Sequence, residues 1–92
     1  RNGWSVTIAI VDDGGHLLFL ERDGAKVTTV DVAIRKARTS ALAQYPSGTL
    51  QKRVREEPQL LALDLMPMQG GMPLLYRGEC IGGVGVSGVK PE

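Results

Sequence analysis

The chain has 92 residues, of which 42% are hydrophobic and 23% charged, the proportions of one small globular domain and not of a disordered or fibrous chain. Eleven basic against ten acidic side chains leave a net charge of +1, so no strong positive field exists to gather nucleic acid or anionic lipid. A single cysteine, Cys80, excludes an internal disulfide framework and a cysteine-rich zinc site, and no run of about 18 apolar residues is present to span a membrane.

The stretch SVTIAIV, residues 5–11, places Val6, Ile8 and Ile10 on one face and Thr7, Ala9 and Val11 on the other, the two-residue period of a strand with one heavy and one small face. DDGG at 12–15 supplies residues that tolerate positive φ in a tight hairpin turn. HLLFLE returns as a second strand, apolar on both faces, which predicts cover from both sides.

Next, Thr28 and Asp31 have the spacing of a capping box. Val30, Ala33, Ile34, Ala37 and Ala41 then recur at helical intervals, predicting an amphipathic helix whose alanine stripe lies close against the sheet, with Arg35, Lys36 and Arg38 off the stripe. Pro46 stops it. Ser47 or Thr49 can cap a shorter helix carrying Leu50 and Val54 and ending before Pro58.

The segment QLLALDLMPMQGGMP is interrupted by Pro67, Gly70, Gly71 and Pro73 and reads as a structured loop. A hairpin follows: strand Leu74–Tyr76, turn RGE, strand Cys80–Ser87. In its second strand Gly83 and Gly85 face one way and Val84 and Val86 the other, leaving one face almost bare backbone, where another backbone or a flat ligand can approach closely. The order β-β-α-α-β-β with antiparallel hairpins is an α+β arrangement. One good helix and one short one are too few to cover such a sheet on both sides, so further helices or a partner subunit are expected to complete it.

No catalytic constellation is visible. One His and one Cys, far apart in sequence, make a pair only if the fold joins them, and Asp12 and Asp13 fit turn-shaping hydrogen bonds better than acid–base chemistry. GGVGVSG lacks the spacing and the lysine of a phosphate loop. His16 is either a turn residue or a single axial ligand to a metal already held by a macrocycle, because a bare zinc would need three or four protein ligands. Met66, Met68 and Met72 read as flexible filler or as soft second ligands.

Taken together, VTIAIVDDGGHLLFLERDGA, DVAIRKARTSA, LMPMQGGMPLLYRGECIGGVGVSG and VKPE resemble the GlcG/HbpS family, also called haem-degrading or PduO-C-like domains, over nearly the whole chain. The resemblance implies a profilin-like antiparallel sheet with helices packed on it, a single domain over residues 1–92 that corresponds to the family's middle with its terminal helices outside the sequence, and self-assembly into homo-oligomers. It also implies a haem-binding accessory or sensor protein linked to haem degradation, with His16 in the GGHLL turn as the iron ligand. Gly71 and Met72 of the QGGMP loop, or Gly83 and Gly85, are expected to lie against the porphyrin. The alternatives are an oligomeric scaffold without a ligand and an accessory protein of a small-molecule catabolic or corrinoid pathway, with a small-molecule or tetrapyrrole ligand as partner. The ends RNGWSV and GVKPE read as cut. A cytoplasmic location is expected, or a secreted or periplasmic one if a signal segment was removed.

Overall fold

A computed structural model describes residues 5–59, 65–66 and 68–88. The elements are β1 (Val6–Asp12), β2 (Leu17–Asp23), α1 (Thr28–Ala43), α2 (Ser47–Glu56), β3 (Gly71–Tyr76) and β4 (Glu79–Ser87). The four strands form one antiparallel sheet in the order β2-β1-β4-β3, an α+β fold. The expected element order is the one observed.

The β1–β2 hairpin closes where Asp12 Oδ1 accepts the backbone N–H groups of Gly14 at 2.9 Å and His16 at 2.8 Å, while Gly15 takes φ +85°. A two-residue turn at Arg77 and Gly78, both at positive φ, joins β3 to β4 in the geometry that matches strand twist.

α1 lies across one face of the sheet. Thr7, Ala9 and Val11 of β1 point at it and are at most 1% exposed, as are Ala33, Ala37 and Ala41 of the helix. The sheet side opposite that stripe is glycine: a Cβ built at Gly83 would fall 2.3 Å from the Ala37 carbonyl oxygen, and one at Gly85 2.0 Å from that of Ala33. The small face of β1 is thus the buried one, because only short side chains let the helix backbone come this near. By strand register, Ile8, Ile10, Phe19, Val84, Val86 and Met72 share the opposite face, where Phe19 remains 46% and Met72 54% exposed.

Several expectations are corrected. The strand HLLFLE, expected to be covered from both sides, is the edge strand β2, exposed from Leu17 to Arg22. A register shift makes Phe19 pair with Ile10 and Leu17 with Val11, so that Leu18 has no partner on β1 and is 67% exposed. The capping box does not form: Val27 already has helical dihedrals and no side-chain cap is made, and Lys26 and Val27 carbonyls accept the first bonds from Thr29 and Val30. Thr28 therefore lies inside the helix, and it is Thr29 whose hydroxyl bonds, to the Lys26 carbonyl and to Thr7 Oγ1. β3 begins at Gly71 instead of Leu74, and Pro73 is accommodated because an edge strand needs no ladder bond from its nitrogen. Of the loop before it, residues 60–64 and 67 lie outside the described residues, as do Trp4 and the KPE segment. Lys36, read as lying off the helix stripe, is only 8% exposed.

Candidate functional site

Two places carry polar side chains in defined settings. The first is the β1–β2 turn. Asp12 ends β1, and its Oδ1 gathers the two turn amides and also accepts from His16 Nδ1 at 3.3 Å. The backbone N–H of His16, aided by that of Gly14 and by the imidazole, holds the Asp12 carboxyl below its ordinary value. In the tautomer that donates from Nδ1 to the carboxylate, Nε2 would present its lone pair away from the turn. This is the arrangement in which ligating histidines are oriented by a carboxylate behind them. The His16 ring is 83% exposed, and Leu17, Leu18, Phe19 and Leu20 follow it directly, between 37% and 67% exposed. A solvent-facing imidazole at the head of an apolar ribbon fits a flat apolar group bearing one metal. Among the described residues no group of three or more His, Cys, Asp or Glu could hold a bare ion.

The remaining residues expected at the site are not gathered around His16. Gly83 and Gly85 lie under α1, and the helix backbone fills the space above them, so that face has no room for a porphyrin. Gly71 is buried against α1 and α2: its N–H donates to Ser47 Oγ at 2.9 Å. Met72 is on the sheet face away from α1, in the cross-strand row Phe19, Ile10, Val84, Met72. Asp12 pairs with Gly82 and Gly71 with Gly85, which puts their backbones roughly 14 Å apart by strand spacing and rise. No Cys–His pair forms either: the Cys80 thiol points at the carbonyls of Ala41 and Gly82.

The second place was missed by sequence reasoning. A groove between α2 and the β3–β4 edge is lined by Lys36, Lys52 and Arg55 with the Gly70–Met72 turn and the end of β4. Lys36 Nζ donates to the Val86 carbonyl at 3.2 Å, and burial lowers its pKa. The only signal in the sequence was that Lys36 directly precedes Ala37 of the buried stripe.

Comparison with known proteins gives the family. The family model described as "Haem degrading protein HbpS-like" matches residues 1–92. Protein GlcG of Escherichia coli K12 is 39% identical over 90 residues, covering 95% of this chain and 67% of GlcG. A crystal structure of a double mutant of Streptomyces reticuli HbpS superposes with a TM-score of 0.88 at 35% identity, over 94% of this chain and 60% of that one. The chain thus spans about three fifths of that protein's length. A PduOC–heme complex has the same fold, with a TM-score of 0.84 at 24% identity over 95% of this chain and 68% of that one.

Proposed function

The chain belongs to the HbpS-like family, and on that premise we propose that it is a haem-binding accessory protein in which His16 supplies the protein's bond to iron. The observation that carries the reading is the Asp12–His16 pair, a carboxylate 3.3 Å from Nδ1 behind a largely exposed ring at the start of an apolar edge strand. The family's description as haem-degrading supports the choice of group. Asp12 fixes the tautomer and orientation of the ring; Leu18 and Phe19 offer apolar surface; the turn amides keep Asp12 in place. Bound haem would supply an iron centre for redox or oxygen chemistry.

Titrating hemin into the protein and into His16→Ala, followed by the Soret band, tests the reading. Loss of the bond is expected to shift the bound spectrum and weaken binding tenfold or more. Identical spectra and affinities would remove His16 from the site.

A second reading, an oligomeric scaffold, is favoured by a different observation: the sheet face bearing Ile8, Ile10, Phe19, Val84, Val86 and Met72 has no helix on it among the described residues. Such a face suits an interface with a second copy. Sedimentation equilibrium of the purified protein would show a concentration-dependent mass if it is one.

A further inference from the structure

A lysine ammonium taken out of water needs a counter-charge, because its lost hydration is not recovered by a neutral carbonyl alone. Lys36 is 8% exposed, and among the described residues its ammonium donates to the Val86 carbonyl, leaving donors for another acceptor. Among the described residues no carboxylate pairs with it. Lys36 and Gly70 both line the groove, and a Cβ at Gly70 would lie 2.8 Å from Nζ and 3.0 Å from Cδ, so glycine leaves room beside the ammonium. The groove's rim adds two exposed cations, Lys52 and Arg55 of α2. Its wall includes Gly48 and Thr49 in the first turn of that helix; the Thr49 N–H already donates to the Pro46 carbonyl, so what this end adds is the positive end of the helix dipole. Among the described residues the groove has no acidic lining at all.

We propose that this groove binds a small oxyanion, a free carboxylate or phosphate, which serves as the counter-charge of Lys36 at the groove floor while Lys52 and Arg55 hold it from the rim. This site is separate from the His16 turn and does not rest on the haem reading.

Malonate and, separately, inorganic phosphate are titrated at fixed ionic strength into the ¹⁵N-labelled protein, with amide shifts as readout. The expected result is saturable movement of Gly48, Thr49, Gly70 and Gly71, with affinity at least tenfold lower in Lys36→Met, the loss that removing a charge-assisted hydrogen bond brings. Saturation by malonate alone identifies a carboxylate ligand and saturation by phosphate alone a phosphate; either supports the site. In His16→Ala the same titration is expected to be unchanged. Equal affinity in the parent and Lys36→Met, loss of binding in His16→Ala, or linear shifts spread over the basic surface would overturn the proposal. If Lys36→Met does not fold, the exposed double substitution Lys52→Gln with Arg55→Gln serves instead, and undiminished affinity there would overturn it equally.

Discussion

Replacing Gly85 by alanine tests how α1 is seated. The added methyl would arrive 2.0 Å from the Ala33 carbonyl oxygen and 2.6 Å from the Ala37 nitrogen. Both are helix backbone, so no side-chain rotation relieves the clash, and α1 must retreat by about 1.4 Å to restore ordinary contact. Overpacking of this kind costs about 1–3 kcal/mol, with rigid neighbours toward the upper end. Alanine recovers only ~0.4–1 kcal/mol through a less flexible unfolded chain. The expected net loss is about 2 kcal/mol, a large share of the ~5–14 kcal/mol that a domain of this size holds, and a fall in melting temperature of roughly 8–16 °C. Urea and thermal unfolding followed by far-UV circular dichroism measure it. Gly48→Ala is the control: its Cβ comes nearest the flexible side chain of Gln69, at 3.1 Å, with the Gln69 Cα at an ordinary 3.8 Å, within a helix, where alanine is favoured by ~1 kcal/mol. A Gly85→Ala protein as stable as its parent, or a Gly48→Ala protein equally damaged, would refute the close seating of α1.

Lys36→Met is expected to be neutral or up to about 1 kcal/mol stabilising at pH 7, because it removes a desolvated charge whose partner among the described residues is a carbonyl. The folded state lowers the Lys36 pKa, so the unfolded chain binds more protons between the two values and parent stability rises as pH climbs through that window; Lys36→Met should flatten this rise in urea melts taken from pH 7 to 10. Ser47→Ala strips the buried Gly71 N–H of its acceptor and the Met68 carbonyl of its donor, and a loss of ~1–3 kcal/mol in unfolding free energy is expected. Asp12 has a depressed pKa, so its hold on the turn is complete above the unfolded carboxylate value of ~3.9 and is lost as pH falls through the lower folded value. The His16 amide resonance should report that transition, and Asp12→Asn should abolish it while weakening hemin binding about tenfold or more.

Local periodicity revealed much of this molecule. The alternation in β1, the alanines at 33, 37 and 41 and the turn at 12–15 each follow from spacing within a few residues. The expectation that Asp12 shapes its turn through side-chain bonds to the backbone holds for the same reason. What was not legible depends on partners distant in sequence. That β4 pairs with β1 and leaves β2 at the edge is set by a contact some seventy residues apart, so the apolar character of HLLFLE could not disclose its exposure. The glycines at 83 and 85 announced a close approach but not by what; the answer is α1, whose alanines are the matching half of the contact. Lys36 reads as a surface residue until the end of β4 is folded over it.

The join between α1 and β4 is made where both partners have nearly no side chain. Its specificity comes from distance alone, since chain atoms meet chain atoms and nearly any substituent is an intrusion. The positions least able to vary are therefore those with the least chemical character, whereas the bulky residues of β2 can be exchanged with little consequence for folding. A survey of substitutions along this chain would find its sharpest intolerance at glycine and alanine, and its greatest latitude among the largest apolar residues.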